Sequence, residues 1–366
     1  MFPLKIKLLK FLDRTAGTIA ALLLTSPASA SQQEMRSFLL IRPGGIGDAV
    51  LLIPVLNAIR AQFPAAEITV LAERRNASVF RLCPCVDHVL LRDCPSDLVA
   101  VLKAGVNIVI DTEQWHRLSA VVARLTRAPM LVGYATNERK KLFTHPVTYS
   151  HDDCEMDSFF NLLSALGIEK PAAVSVPFLT IPEDAGKVAT TLLGKYLKNA
   201  FVVIFPGASI SERRWGSGCF SAVARRLRGH DIPVVVVGGK EDRRVGNEIV
   251  CDVGGLNLAG KTSLVETAAV IDKGALLLSG DSGILHIGVG LGKPTVSLFG
   301  PGIAQKWAPR GKQHVVINKH LPCSPCTKFG YTPKCPINAK CMSDITVDEV
   351  VAAVEKLLLG QVKRDG

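Results

Sequence analysis

The sequence predicts an α/β protein built from two doubly wound, Rossmann-like domains in tandem. Short apolar runs alternate with helical stretches in residues 37–175 and again in residues 176–366. Several runs end in glycine-containing turns, as parallel strands followed by crossover helices do. Between the two stretches, Pro171, Pro177 and Pro182 surround a short apolar segment, which is typical of a linker. A chain of 366 residues also exceeds what one hydrophobic core usually organises.

The first predicted domain opens with a strand at 38–41, a glycine turn and a helix at 48–62. Pro54 would interrupt the interior of this helix and leave the carbonyl of Val50 without its partner, so we expect a local irregularity there. The remaining apolar runs of this half predict strands at 68–71, 89–91 and 106–110.

The second half repeats the alternation, with helices predicted at 215–228 and 284–291. Its apolar runs predict strands at 201–205, 234–237, 276–278 and 295–298. Ligands of such sheets bind outside the carboxyl ends of the strands, and the glycines and polar residues of this sequence collect at those ends. We therefore expect the two domains to face each other across a cleft.

The composition indicates a globular protein with anionic partners. Hydrophobic residues make up 48% of the chain and charged residues 20%, which supplies enough apolar side chain for two cores and excludes a disordered protein. The formal net charge of +11 favours phosphorylated molecules, an anionic membrane or nucleic acid. Nucleic acid is disfavoured, because no recognised binding signature accompanies the basic residues. The cysteines are scattered except for the last four, which favours a reducing compartment.

Residues 1–36 form a separate segment with three interpretations. A basic amphipathic helix on a membrane surface is favoured, because one helical face is apolar while the other carries lysines, Asp13 and Arg14. The apolar face consists of Leu4, Leu8, Phe11, Leu12, Ile19 and Leu23. The second interpretation is a signal peptide cleaved after Ala30, although Asp13 is unusual in a positively charged leader. The third is a leader without a role.

The motif Arg-Pro-Gly-Gly-Ile-Gly-Asp follows the first predicted strand and opens the first helix. Gly44, Gly45 and Gly47 allow the backbone to approach a ligand closely, and a helix N-terminus favours an anion or a polarised hydroxyl. Asp48 is the candidate catalytic carboxylate of this loop. Taken alone, an acid at this position more often caps the first helical turn.

A dinucleotide-binding dehydrogenase is the main competing class for this loop. The Gly-x-Gly-x-x-Gly fingerprint is matched only at its first two glycines, because Val50 occupies the third position. Glu73, after the next strand, imitates the ribose-binding acid of that class. Protection from thermal unfolding by NAD or by ADP separates the two interpretations.

A second motif contains Asp281, Ser282, Gly283 and His286 and follows the predicted strand at 276–278. Amides of Ser282 and Gly283 at a helix start suit a pyrophosphate, and His286 lies one helical turn beyond Ser282 on the same face. A lone histidine is usually structural. Its convergence with the aspartate and the serine favours ligand contact.

Two further turns at strand ends carry candidate ligand residues. Ser209 ends a Pro-Gly-Ala-Ser turn, and Arg213 and Arg214 follow it as candidate phosphate ligands, although paired surface arginines are usually only solvated. A Gly-Gly turn precedes Glu241 and Asp242, either of which suits ribose hydroxyls. Neither motif is specific alone.

Taken together, the motifs resemble those of the heptosyltransferases of glycosyltransferase family 9. Gly-Gly-Ile-Gly-Asp, Pro-Gly-Ala-Ser with Arg-Arg-Trp, Asp-Ser-Gly-Ile-Leu-His and Ser-Leu-Phe-Gly-Pro-Gly occur in this order, and the resemblance runs from about residue 38 to about residue 359. It implies a GT-B architecture, with an acceptor-side domain at 37–175 and a donor-binding domain at 176–366. It also implies a metal-independent, inverting transfer of heptose from ADP-heptose to the inner core of lipopolysaccharide. The nucleotide sugar is then a substrate, and no resident cofactor is implied.

The resemblance also implies roles for individual residues. Asp48 matches the general base, which takes the proton of the acceptor hydroxyl as that oxygen attacks the anomeric carbon. Ser209 and Arg213 match a hydroxyl residue and a lysine that hold the donor phosphates, although an arginine fork replaces the compact ammonium. The other matched donor-binding positions are Asp281, Ser282, Gly283, His286 and, more loosely, Glu241, with Arg214 as a further candidate.

The cysteine-rich loop at 323–341 has two interpretations. Cys323, Cys326, Cys335 and Cys341 could hold a structural zinc ion, because Cys-x-x-Cys is typical of such sites, but the second pair lacks the usual tight spacing. Reduced or disulfide-linked thiols that shape the loop are the alternative.

The expected partners are a nucleotide sugar, a lipid-linked oligosaccharide acceptor and a membrane surface, with no nucleic acid. Because activated nucleotide sugars are made in the cytoplasm, we expect residues 1–30 to stay attached and to hold the protein on the inner face of the cytoplasmic membrane. The alternatives are the same reaction with another nucleotide sugar, or a nucleotide-sugar-binding protein without turnover.

Overall fold

The computed structural model describes residues 11–27, 35–328 and 331–362. The chain forms two compact units, Met1–Val174 and Ser175–Gly366. Their boundary falls inside the proline-containing stretch 167–182, in which no helix or strand forms. The lysines of residues 1–10 and the cleavage sequence Ala28-Ser29-Ala30 lie outside the described residues.

Parallel strands form the sheet of the first unit: β1 (Ser37–Arg42), β2 (Glu67–Ala72), β3 (His88–Leu91), β4 (Ile108–Asp111), β5 (Met130–Tyr134) and β6 (His145–Val147). Their order is β3-β2-β1-β4-β5-β6. In the centre, Phe38 of β1 pairs with Ile68 of β2 and with Ile108 of β4. All apolar residues of β1 are buried, because a central parallel strand is covered on both faces.

The helices of the first unit are α1 (Thr18–Leu23), α2 (Ile46–Gln62), α3 (Pro95–Lys103), α4 (Arg117–Leu125) and α5 (Glu155–Asn161). Helices α2, α3 and α4 connect successive strands, whereas α1 precedes β1 and α5 follows β6. Short 3-10 helices cover Ala77–Leu82, Glu138–Leu142 and Leu162–Leu166. Helix α2 begins two residues before the predicted start and runs on through Pro54. The expected interruption is absent because residues 49–56 are buried throughout, and their packing stabilises the helix despite the lost hydrogen bond.

The N-terminal helix packs on the first unit through its small side chains. A π-helical turn, Asp13–Gly17, leads into α1, and Asp13, Gly17 and Ala21 are buried at four-residue spacing. The backbone N–H of Leu118, at the start of α4, donates to Oδ1 of Asp13 at 2.8 Å. Asp13, which the sequence pattern assigned to the polar face, is therefore buried, and its carboxylate caps a neighbouring helix. Burial alone would raise the pKa of Asp13, but hydrogen bonds from the His116 ring and the Leu118 amide lower it.

The opposite face of this helix exposes large apolar side chains. They are Phe11, Leu12, Ile19, Leu22 and Leu23, with exposed fractions between 40% for Leu12 and 79% for Leu23. Arg14 is exposed as well. Throughout the described ranges, every helix is too short or too polar to cross a membrane.

The second unit repeats the architecture with β7 (Val202–Phe205), β8 (Val234–Val236), β9 (Leu256–Asn257), β10 (Leu276–Gly280), β11 (Thr295–Phe299) and β12 (His314–Asn318). The order is β12-β11-β10-β7-β8-β9, all parallel. Counted from its own first strand, this is the same topology as in the first unit. In each sheet the chain therefore adds its first three strands toward one edge and its last three toward the other edge. This change of side occurs between the adjacent strands β1 and β4 in the first unit, and between β7 and β10 in the second. Such a switch point is where doubly wound sheets bind ligands.

The helices of the second unit are α6 (Glu183–Leu193), α7 (Ser217–Gly229), α8 (Arg243–Val250), α9 (Leu264–Lys273), α10 (Gly283–Gly290), α11 (Ala304–Trp307), α12 (Lys340–Ser343) and α13 (Val347–Val362). A buried core joins β7, β8, β10 and β11 to α7 and α13. Trp215 anchors this core, and its Nε1 donates to the carbonyl of Ile345 at 3.0 Å. Most of the predicted elements are present with boundaries shifted by one or two residues.

Candidate functional site

The glycine loop occupies the switch point of the first unit, directly after β1. Gly44 has φ +107°, and a Cβ there would lie 3.1 Å from Nη2 of Arg42, so the turn requires glycine for its conformation and its close contact. Gly45 immediately precedes α2, and Gly47 lies in the first turn of that helix. The loop thus brings the backbone close to the start of α2 without intervening side chains.

Asp48 lies in the first turn of α2 and is half-buried. Its Oδ2 lies 3.9 Å from the Cβ position of Gly45, so the carboxylate faces the glycine loop. Burial raises the pKa of Tyr149 above its ordinary range, and the negative charges of Glu155 and Asp48 raise it further. The structure therefore brings the predicted base together with the glycine loop and with a phenol from the segment after β6.

A buried ionic network underlies this loop, and the sequence analysis did not anticipate it. Arg42 is 1% exposed; its Nε donates to the carbonyl of Pro43 at 2.6 Å and its Nη1 to the carbonyl of Thr112 at 2.9 Å. Its Nη2 lies 3.6 Å from Oε2 of Glu113. Burial alone would raise the pKa of Glu113, but Arg42, His116 and Arg139 lower it below the ordinary value.

Arg139 extends the network to the neighbouring strand ends. It is fully buried, pairs with Asp111 at the end of β4, and donates to the carbonyl of Glu113. Two buried arginines thus hold the backbone that follows β1 and β4, the two strands of the switch point. The sequence did contain a signal for this network, because β1 and β4 each end in a charged residue after an apolar run.

Glu155 connects the network to α5. Its Oε1 accepts a hydrogen bond from the amide of Gln114, and its Oε2 accepts one from the Tyr149 hydroxyl at 2.9 Å. Glu155 is completely buried at the start of α5, which packs against α2. The orientation of Tyr149 beside Asp48 is therefore fixed by a buried acceptor.

In the second unit, Asp281 and Arg213 meet at the switch point between β7 and β10. Nη1 of Arg213 lies 2.9 Å from Oδ2 of Asp281, and both side chains are largely buried. The backbone N–H of Asp281 donates to the carbonyl of Leu298 at 3.1 Å. A Cβ at Gly302 would overlap Oδ2 of Asp281, so the turn after β11 requires glycine to approach this carboxylate. Three strand-end loops converge here, as the motif order predicts.

Ser282 and Gly283 form the start of α10. Oγ of Ser282 accepts a hydrogen bond from the N–H of Leu285 at 3.3 Å and lies 2.9 Å from Oγ of Ser279. The serine is therefore the N-cap of α10, and Gly283 is its first residue. His286 follows within the helix but is only 4% exposed, and burial lowers its pKa to about 4. The histidine is therefore uncharged at neutral pH, and its contact with a ligand stays a prediction.

The remaining predicted donor residues differ in their availability. Ser209 is exposed at the end of its turn. Arg214 is exposed as well, and its Nε and Nη2 donate to the carbonyl of Ala208 at 3.1 and 2.9 Å. Asp242 is buried and accepts the N–H of Gly239 at 2.9 Å, whereas Glu241 is exposed. Of the two acids that seemed equally available in the sequence, Glu241 is the one open to a ligand.

The cysteine-rich loop lies against the turn that contacts Asp281. N–H groups of Cys326 and Thr327 donate to the carbonyl of Pro301, at 3.2 and 2.9 Å. All four cysteines are free thiols, and the described part of the chain contains no group of three or more metal-ligating side chains. The zinc site in this loop therefore stays a prediction. Burial and the neighbouring thiols raise the pKa of Cys341.

Lys306 was also missed in the sequence. It lies in α11, shortly after the Gly302 turn, and its side chain is fully buried. A lysine is rarely buried completely without a partner, and Lys306 does make interactions there. In the sequence it is one basic residue of an ordinary loop, and only the packing distinguishes it.

Comparisons of sequence and of structure with known proteins point to the same family. The sequence model of glycosyltransferase family 9 (heptosyltransferase) matches residues 99–335. Lipopolysaccharide heptosyltransferase 3 of Escherichia coli is 26% identical over 338 residues, which cover 85% of this chain and 96% of that protein. A family 9 glycosyl transferase from Veillonella parvula superimposes with a TM-score of 0.75 at 22% identity and covers 91% of this chain and 100% of its own. E. coli ADP-heptose lps heptosyltransferase II gives 0.74 at 21% identity, with coverages of 89% and 99%.

The family match covers more than half of the chain and includes the Arg213 and Asp281 loops, whereas the glycine loop precedes it. The two parallel sheets with covering helices have the GT-B fold of the solved relatives, which confirms the predicted fold class. The resemblance noted in the sequence is likewise confirmed. The chain belongs to glycosyltransferase family 9 and is a glycosyltransferase.

Proposed function

We propose that this protein transfers a heptose from ADP-heptose to the inner core of lipopolysaccharide, with inversion at the anomeric carbon and without a metal ion. The name of its E. coli relative, a lipopolysaccharide heptosyltransferase, supports the sugar and the acceptor class. The name of a structural relative supports ADP-heptose as the donor. The observation that carries the proposal is the position of Asp48, in the first turn of α2 with its carboxylate facing the glycine loop.

In the proposed reaction Asp48 is the general base. Its carboxylate accepts the proton of an acceptor hydroxyl while that oxygen forms a bond to the anomeric carbon of the heptose. The bond from this carbon to the ADP oxygen breaks at the same time, and ADP leaves with the electron pair. Attack opposite the leaving group inverts the anomeric carbon. A positioned base of this kind contributes about 10²- to 10⁴-fold to the rate.

The second unit holds the donor in this proposal. Nε of Arg213 is buried and lacks a hydrogen-bond partner among the described residues, while Nη1 is fixed by Asp281. A diphosphate oxygen satisfies such an N–H, and the amides at the start of α10 favour an anion at the neighbouring switch point. Ser209 and Glu241 are exposed at adjacent strand ends for a phosphate and for a ribose hydroxyl.

The leaving ADP is stabilised by the arginine and the helix-start amides, so the proposed reaction requires no divalent cation. The sequence also lacks an Asp-x-Asp motif, the usual metal-binding pattern of metal-dependent sugar transferases. The features that support a metal-independent reaction are thus Arg213 and the amides at the start of α10.

We further propose that the N-terminal helix holds the protein on the inner face of the cytoplasmic membrane. Its outward face carries five exposed apolar side chains, which suit the boundary between headgroups and acyl chains. Basic groups flank this face: Lys141 donates to the carbonyl of Leu22 at 2.9 Å, and Arg124 donates to that of Thr25 at 3.0 Å. An anionic lipid surface complements these charges, and the acceptor is itself lipid-linked.

A panel of nucleotide sugars tests the proposed function. The full-length protein is mixed with ADP-heptose and with nucleotide-linked hexoses in separate reactions, each with a truncated core glycolipid, and the products are analysed by mass spectrometry. We expect one heptose to be added from ADP-heptose and no comparable product from the other donors. Efficient transfer of a different sugar would show that the donor is another nucleotide sugar. ADP binding without any product would favour a nucleotide-sugar-binding protein without turnover.

A further inference from the structure

Three aromatic rings lie together in the first unit, in the segments that follow β4 and β6. The rings of Trp115 and His151 are stacked, with centroids 5.4 Å apart and an interplanar angle of 26°. Tyr149 meets both rings edge to face, at 6.2 Å from Trp115 and 5.5 Å from His151. We call these three residues the aromatic platform. Neither the family motifs nor the proposed mechanism uses them.

The platform is at the surface but rests on a rigid base. His151 is exposed, and Trp115 and Tyr149 are half-buried. Beneath them Tyr134 is fully buried, with its ring 5.0 Å from that of Tyr149 and its hydroxyl donating to the carbonyl of Ser158 at 2.7 Å. Aromatic rings that only fill the core are buried, and surface rings without a function usually lack a buried ring beneath them. Exposed rings that rest on a buried ring are typical of a preformed binding surface.

The backbone of Trp115 is also fixed from below. The side-chain amide of Asn137 donates to the carbonyl of Trp115 at 2.9 Å, and the N–H of Trp115 donates to Glu113 at 3.1 Å. Glu113 belongs to the buried ionic network that holds the end of β1. The platform and the glycine loop are therefore built on the same charged groups, on both sides of the switch point.

The packing of two helices connects Asp48 with the platform. Helix α5, which begins four residues after His151, packs against α2, the helix that carries Asp48. Burial raises the pKa of Tyr149, and the negative charge of Asp48 adds to this effect. A carboxylate beside aromatic rings is suited to a sugar, because the rings contact the apolar C–H face while the carboxylate accepts a hydroxyl proton.

We infer that Trp115, Tyr149 and His151 bind the sugar ring of the acceptor that presents its hydroxyl to Asp48. This inference rests on the proposed function, because it assumes that the acceptor is an oligosaccharide. The ligand class is a pyranose ring with one exposed C–H face.

Binding of a deacylated inner-core oligosaccharide tests the inference directly. The affinity of the full-length protein for this oligosaccharide and for ADP is measured by titration calorimetry. We expect Trp115→Ala to weaken oligosaccharide binding on the order of tenfold and His151→Ala by a few-fold, while ADP affinity changes less than about twofold. Trp115→Phe should retain part of the affinity. Tyr196→Ala, which removes a half-buried aromatic ring in the second unit, is the control.

Kinetics provide a second readout. Trp115→Ala should raise KM for the oligosaccharide about tenfold while kcat at saturating acceptor stays close to that of the wild type. Wild-type affinity in both Trp115→Ala and His151→Ala, or no oligosaccharide binding by the wild type, would overturn the inference. If Trp115→Ala fails to fold, the exposed His151 decides. Trp115-dependent oligosaccharide binding without heptose transfer would contradict the proposed function and leave the platform intact.

Discussion

Asp48 occupies a position that many helices give to an acidic residue for a local reason. A carboxylate in the first turn offsets the helix dipole, and this effect alone would explain an aspartate there. Its surroundings go further, because Gly44 adopts φ +107° to form the loop that the carboxylate faces. Capping does not require this loop conformation.

Replacing this carboxylate separates the two roles. Asp48→Asn keeps the size and the capping ability of the side chain but removes the base, so we expect kcat to fall by about 10²- to 10⁴-fold. ADP affinity should change less than about twofold, because the donor is held by the second unit. The matched control is Asp97→Asn, which alters another acid in a first helical turn. Asp48→Asn activity within a few-fold of the wild type would exclude it as the base.

Arg213 is the residue whose environment the sequence describes least well. We expect Arg213→Ala to weaken ADP binding by about 1 to 3 kcal/mol, the range for a lost charged hydrogen bond, because its buried Nε loses a phosphate partner. Arg213→Lys should recover part of this affinity. Arg225→Ala, on the exposed face of α7, is the control. Calorimetry that finds equal ADP affinity in Arg213→Ala and the wild type would assign Arg213 only the task of holding Asp281.

Individual residues were predictable where a local motif identifies them, and otherwise not. The positions of Asp48, Ser282 and Asp281 follow from glycine turns at strand ends. The pairing of Arg213 with Asp281, the contact of Arg214 with the Ala208 carbonyl and the burial of Arg42 depend on residues that are distant in the sequence or on loop conformation. Such contacts leave no periodic pattern.

At the scale of the element, the N-terminal helix combines two functions on two faces. Asp13, Gly17 and Ala21 allow close packing against α4, and the side chains on the other face remain uncovered. The apolar pattern placed Asp13 on the polar face but did not show that this residue is buried. Its carboxylate is buried because the N–H of Leu118, at the start of α4, donates a hydrogen bond to it.

The exposed face should determine membrane binding. We expect the double variant Leu22→Glu, Leu23→Glu to bind vesicles containing anionic lipids at least about tenfold more weakly, because it places two charges in the apolar face. Folding should be unaffected, since both side chains are exposed. Leu359→Glu alters an exposed leucine of α13 and should bind as the wild type does. Cosedimentation gives the result, and equal binding by all three proteins would contradict membrane attachment through this helix.

The strands and helices that the sequence predicted lie within about two residues of the observed ones, because buried parallel strands are unbroken apolar runs. Strands β5, β6, β9 and β12 were not predicted, and the prediction for Pro54 was wrong. Local rules predict an interrupted helix, yet α2 continues because both of its sides are buried. Tertiary packing outweighs the cost of one missing hydrogen bond.

At the scale of the whole molecule, the two units share one topology, and each carries its polar machinery at its switch point. In the first unit these residues are a carboxylate and aromatic rings, and in the second an arginine, an aspartate and helix-start amides. The sequence predicted a catalytic carboxylate in the first unit and donor-binding residues in the second, because glycine motifs follow β1, β7 and β10. The ionic network of the first unit was not predicted, since its members are spread over four connections.

Chelation tests whether the second unit provides all the positive charge that the reaction needs. We expect activity to persist in excess EDTA, because Arg213 and the amides of α10 stabilise the leaving diphosphate. Initial rates with and without EDTA should agree within about twofold. Activity lost in EDTA and restored by Mg²⁺ or Mn²⁺ would contradict the metal-independent mechanism, whereas restoration by Zn²⁺ alone would return attention to the cysteine-rich loop.

The central claim is heptose transfer to the lipopolysaccharide core with Asp48 as the base. The most direct measurement is the mass spectrum of the core glycolipid from cells that naturally carry this protein, after its deletion and after complementation. The account predicts that deletion removes one heptose together with any sugars attached beyond it, and that the wild type restores them while Asp48→Asn does not. An unchanged core after deletion, or full restoration by Asp48→Asn, would contradict it.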